Sequence, residues 1–251
     1  RREKMTGTVT SLWRHPIKGH GREEVQNASF RAGETMPGDR VWAIAHEASK
    51  ADNSAWAAYF NFCVVSRNPA LMALSAAYDE TKGRVTLVHP EIAPLTFDPD
   101  TEADAFLAWV APLVPEGRAQ PKRIIKVPGR GMTDSDFPSV TLCNMASHRA
   151  VEQRVGQSLS IHRWRGNIWF DGLPLWEEFE WMDREIQIGE AVFLVREPTD
   201  RCNATAANPE TGKSDIDVLG ALSHWRHQDF SVRAEVIRSG LVHQGDGVKA
   251  L

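Results

Sequence analysis

Short runs of alternating polar and apolar residues, each cut off by a turn signal, constrain this chain more than any other feature. "GTVTSLWRHPI", "GDRVWAIAHE" and "GRVTLVHP" in the first half, and "SVTLCN", "EIQIGEAVFLVRE" and "SVRAEVIRSGLVHQGDGV" in the second, carry the period-two pattern of strands. Helical signals are few. "TEADAFLAWVAPLV" has Thr101 as N-cap, with Phe106, Leu107, Val110 and Leu113/Val114 on one apolar face, and ends near Pro115 and Gly117. "NMASHRAVEQRVGQ" reads as a helix capped by Asn144 and stopped at Gly156, and "DIDVLGALSHWRH" as a shorter one. Many short strands with few helices bury their faces by closing or by sheet-on-sheet packing. The expected fold is therefore α+β and β-rich, with two barrel-like regions. The Pro/Gly-bearing stretch "VPEGRAQPKRIIKVPGRG" puts the division near residue 120, giving regions 1–120 and 121–251.

Bulk properties exclude several classes of function. A formal net charge of −4 offers no general attraction to nucleic acid, and no apolar run approaches the ~20 residues that span a bilayer. The start lacks the basic, apolar, small-residue order of a secretory signal, so a cytoplasmic location is expected. Three cysteines without C-x-x-C spacing make neither a disulfide framework nor a zinc site. Cys63 and Cys143 lie among apolar neighbours, as small hydrophobes do. Cys202, in "PTDRCNATAANPETG", stands alone in a polar loop beside Arg201, a neighbour able to favour a thiolate. Sequence alone leaves it as either a reactive thiol or an ordinary loop cysteine.

A second set of candidates is cationic. Lys18, Arg40, Arg163 and Arg165 sit at turns, and their convergence would create an anion site. As a strand, "RWRGN" would put Arg163, Arg165 and Asn167 on one side and Trp164 on the other. His15, His20, His46 and His148 show no metal-binding spacing, and no phosphate-binding glycine loop or nucleophile elbow is present. Glu177 and Glu178 neighbour each other without sharing a helical face, and the flanking Trp176 and Trp181 read as packing anchors.

In order along the chain, "HPIKG", "GDRVW", "RWRGNI", "LWEEFEWMDREIQIGEAVF" and "PTDRCNATAANPETG" resemble the MOSC-domain proteins with an N-terminal MOSC-associated β-barrel domain. That group includes the mitochondrial amidoxime-reducing component and its bacterial relatives. The resemblance implies a molybdenum cofactor (molybdopterin) held between the two regions. It implies Cys202 as the metal ligand and catalytic residue, and Lys18, Arg40, Arg165, Asn167 and Thr205 as cofactor contacts. It further implies reduction of N-hydroxylated or N-oxygenated small molecules. Electrons would come from a separate protein, because an iron–sulfur cluster generally takes four cysteines and this chain has three. Two alternatives stay open: a carrier of persulfide or cofactor acting through Cys202, and a chain that keeps the fold without the chemistry or the cofactor. The second draws on three departures from the family pattern, Gly19, Ala206 and Asn208.

Overall fold

The computed structural model describes residues 5–251. Fifteen strands and three α-helices follow one another among the described residues. The strands of the first half are β1 (Gly7–Arg14), β2 (Glu23–Val25), β3 (Asn27–Phe30), β4 (Ala43–His46), β5 (Ser75–Asp79), β6 (Arg84–His89) and β7 (Ile92–Phe97). After α1 (Ala103–Val110) come β8 (Pro121–Ile125), β9 (Val140–Asn144), α2 (Met145–Val155), β10 (Ile168–Asp171), β11 (Glu185–Ile188) and β12 (Ala191–Asp200). Helix α3 (Val218–Leu222), β13 (Asp229–Arg238), β14 (Gly240–His243) and β15 (Gly247–Ala250) complete the described chain. No helix among the described residues is long and apolar enough to cross a membrane.

Seven strands close into a barrel in the order β10-β9-β13-β12-β11-β15-β1, with β1 pairing β10 to seal it and β2 added beyond β1. Closure leaves no free edge among these seven, which is how an antiparallel sheet of short strands satisfies its backbone. The exception to antiparallel pairing is β9 with β10, and α2 makes the connection that a parallel pair requires. Leu12, Phe30, Leu142, Phe170, Phe193 and Val232 belong to the barrel's core.

A second core lies under the meander β5-β6-β7, the pair β4-β8 and α1. Ile17, Trp42, Ile44, Leu74, Leu87 and Phe106 fill it. The architecture is the β-rich α+β fold expected from the strand pattern, with α-helix confined to three short segments. Its sheets do not follow a linear cut at residue 120. Strand β1 closes the barrel built mainly by the second half, whereas β8 pairs with β4 of the first.

Local expectations divide. Asn144 Oδ1 accepts from the Ala146 N–H, and Gly156 ends α2 at φ 81°. Thr101 is not the cap of α1: the helix starts one residue later behind Glu102, whose carboxylate accepts from the Asp98 N–H at 2.6 Å. "RWRGN" is not a strand. Ile161–Trp164 form a 3-10 turn, the Ser160 hydroxyl accepts from the His162 N–H, and Arg165 ends the turn at φ 50°. Gly166 then passes Cys143 Sγ with no room for a Cβ, so extended pairing starts only at Ile168.

Candidate active site

A cleft of about 510 Å³ opens between the barrel and the second core, lined from the first half by Lys18, Gly19, Arg40 and 64–67 and from the second by 163–165, Asn167 and 199–202. Turn geometry places its cations. Lys18 lies within a tight turn closed by the His20 N–H bonding Ile17 O, and its own N–H bonds Trp42 O at 2.8 Å. Gly19, one of the three departures named above, stands at φ 75° with Cys63 O close beside it, a backbone region that favours glycine. The Lys18 ammonium is buried and donates to Met132 O at 2.9 Å and to the Asp134 carboxylate.

Arg40 also stands at positive φ, 50°. Its guanidinium donates to Asp39 Oδ2 at 2.6 Å and to Arg165 O at 3.1 Å. Asp39 is buried and accepts from His15 through the backbone N–H at 2.7 Å and Nδ1 at 3.1 Å. Burial, reinforced by Arg165 and Arg40, pushes His15 down to about 3 despite Asp39, so the ring is neutral at physiological pH. Sequence reading missed Asp39 and Asp134. Asp39 had a signal, its adjacency to Arg40, but Asp134 lies far along the chain from Lys18 and had none.

Arg165 differs from its neighbours. It donates from Nη2 to Gly21 O at 3.2 Å, while its buried Nη1 has no partner and no carboxylate among the described residues pairs with it. Burial, with Arg40 and Arg22 adding repulsion, pushes its guanidinium down to about 9. A buried donor without an acceptor costs about 1–3 kcal/mol, so this end of the cleft is built for an anion. Asn167 and Thr205 also line the cleft, and both hold the wall in place. Asn167 bridges β1 and β9, donating to Trp13 O and accepting from the Thr141 N–H, each at 3.1 Å. Thr205 Oγ1 donates to Cys202 O at 3.0 Å.

Cys202 is exposed and begins the 3-10 turn Asn203–Ala206. Its neighbour Arg201 is engaged by other groups: the guanidinium donates to Phe230 O, Trp164 O and the Ser231 hydroxyl and lies over the Trp164 ring. The loop that carries the thiol is fixed from both sides. Ala207 belongs to the second core, Arg22 donates to Pro209 O, and Arg163 donates to Thr205 O, Ala206 O and Asp215. Asn208 Nδ2 donates to Asp215 Oδ2 at 2.8 Å, using an amide N–H that an ionised carboxylate lacks. The departure at Asn208 is thus matched by Asp215.

Glu178 lies away from the cleft, buried against Asn144 and Ser147, so the adjacent pair Glu177 and Glu178 takes no part in this site. No group of three or more His, Cys, Asp or Glu among the described residues could hold a metal ion. A metal held at Cys202 therefore needs most of its ligands from a group that the chain binds. The exposed thiol, the unmet Arg165 donor and the cationic wall fit a sulfur-bearing, anionic cofactor.

Residues 6–113 match the MOSC N-terminal beta barrel domain and residues 132–249 the MOSC domain. Among solved structures, YuaD from Bacillus subtilis is similar at 11% identity, with 99% of this chain and 97% of that one covered and a TM-score of 0.48. YiiM from Geobacillus stearothermophilus (16% identity, TM-score 0.36) and from Escherichia coli (17%, 0.34) align with 45% of this chain and 53% of theirs. No curated protein matches. On the two family-model matches, which take in nearly all of the described chain, the protein belongs to the MOSC-domain proteins that carry an N-terminal MOSC β-barrel domain.

Proposed function

We propose that this protein is a molybdenum-cofactor-dependent oxidoreductase that reduces N-hydroxylated or N-oxygenated small molecules with electrons from a separate donor protein. MOSC domains are in general associated with molybdenum cofactor binding. The observation that carries the reading is the buried, unpartnered Nη1 of Arg165 in the same cleft as the exposed Cys202 thiol. Anionic oxygen is the acceptor that this guanidinium lacks, and a thiolate is a suitable donor to a soft, sulfur-ligated metal.

Cys202 would hold the metal, and Arg165, Arg40 and Lys18 the anionic part of the cofactor. When bound, the cofactor supplies the redox-active metal and its remaining sulfur ligands. The chain supplies position and charge. Asp39 fixes Arg40, Asp134 and Met132 O fix Lys18, and Thr205 fixes the turn beneath Cys202. The neutral His15 supports Asp39 without adding charge.

The test is turnover by cofactor-loaded protein with a chemical reductant, which removes dependence on the unidentified donor. Reduction of benzamidoxime or a simple hydroxylamine, lost in Cys202→Ala, is the expected result. Full cofactor content with no turnover of either compound would overturn it. Cyanolysable sulfur on Cys202 in molybdenum-free protein would instead support the carrier alternative, which needs only an accessible thiol.

A further inference from the structure

The cleft has a second free cation. Lys18, Arg40, Arg163 and Arg233 each face a carboxylate, and Arg201 is engaged by backbone carbonyls. Arg67, also on the cleft, forms no ion pair and no side-chain hydrogen bond among the described residues. The hydroxyls of Ser66 and Tyr59, which line the same cleft, are likewise without partners there. These three groups share one short stretch of the first half.

That stretch is rigid. The Arg67 and Asn68 N–H groups both return to Val64 O, at 3.2 and 3.1 Å, and Asn68 Nδ2 donates to the same oxygen at 3.1 Å. Val65 is buried in the second core, and the Cys63 N–H bonds Ile44 O at 2.8 Å, tying the stretch to β4. The Tyr59 ring, 50% exposed, meets Phe60 edge to face at 6.0 Å. A cation, two hydroxyls and an aromatic face thus line one side of the cleft on backbone tied down at residues 63–68, while the exposed Arg67 side chain keeps its rotamer freedom until a ligand pairs with it.

We propose that Tyr59, Ser66 and Arg67 form a substrate-specificity site for planar compounds bearing a carboxylate. Arg67 pairs with the carboxylate in the two-point manner of a guanidinium, the hydroxyls donate to its remaining lone pairs, and the Tyr59 ring packs on the planar body. The proposal rests on the reductase reading for the reacting end of the substrate, and its recognition step stands on the wall alone.

The test is calorimetric binding of 4-carboxybenzamidoxime and its neutral parent benzamidoxime to purified protein of measured cofactor content. The carboxylate compound should bind at least about tenfold more tightly, with the preference falling as salt rises. Arg67→Gln should erase the preference, and Tyr59→Ala should weaken both compounds. Equal affinity in wild type, or a preference that persists in Arg67→Gln, would overturn the site. Turnover separates this from the reductase reading: an intact Arg67-dependent binding preference without reduction of either compound sinks the reductase and keeps the recognition site. With turnover, Arg67→Gln should remove the advantage of the carboxylate compound over benzamidoxime in kcat/KM.

Discussion

Arg165 carries the clearest unmet polar demand in the cleft, and one substitution separates its two roles. A guanidinium with a buried, unpartnered nitrogen and no carboxylate adds little to the fold, whereas it is well suited to an anionic ligand. Arg165→Met should therefore leave cofactor-free protein as stable as wild type or more stable, by denaturant unfolding, while cofactor retention falls about tenfold or more. Equal loss of fold and cofactor would show that Arg165 is structural. Lys18, Arg40 and Arg165 stood out in the sequence through the ordered motifs "HPIKG", "GDRVW" and "RWRGNI"; taken singly, each reads as an ordinary solvated charge. The groups that aim them did not. Asp39 and Asp134 act through pairings set by turns and by distant contact, and the hydrogen bonds of Asn167 to Trp13 and Thr141 depend on which strands become neighbours.

At the scale of elements, the helix α2 and the 3-10 turn Glu177–Trp181 are joined by a buried carboxyl. Glu178 accepts from Asn144 Nδ2, the residue that caps α2, and from Ser147 Oγ, each at 2.8 Å, with no ion-pair partner among the described residues. Burial raises its pKa above the ordinary 4.5 even though both hydrogen bonds oppose the shift. The native state then holds this proton more tightly than the unfolded chain does. The contribution of Glu178 is full below the unfolded value and is lost as pH rises through the raised one. Denaturant unfolding from pH 4.5 to 8 should show Glu178→Gln gaining on wild type as pH increases, and parallel curves would refute the assignment. The cap and stop of α2 could be read from Asn144 and Gly156. "RWRGN" could not, because period-two reasoning assumes extended backbone and gives no sign of a 3-10 turn ended by an arginine at positive φ.

Across the whole molecule, the two halves share a barrel. Strand β1 comes from the first half and lies between β10 and β15, so removing it opens a seven-strand ring at two edges. Exposed edges of this kind pair with other chains. A fragment of residues 121–251 should aggregate or lack cooperative unfolding by circular dichroism, and a version with residues 5–30 joined back through a flexible linker should recover it. A cooperative, monomeric 121–251 fragment would contradict the shared-barrel view. The strand-rich class was legible because alternation is local, whereas the sharing of strands between halves is a matter of long-range pairing that no run of residues announces.

The most direct test of the central claim is the molybdenum and pterin content of protein made in a cofactor-competent host, wild type beside Cys202→Ala. The account expects near-stoichiometric molybdenum and pterin in wild type and a loss of molybdenum in the variant with the fold intact. Well-folded wild type containing neither metal nor pterin, or a variant that retains its full molybdenum content, would contradict it.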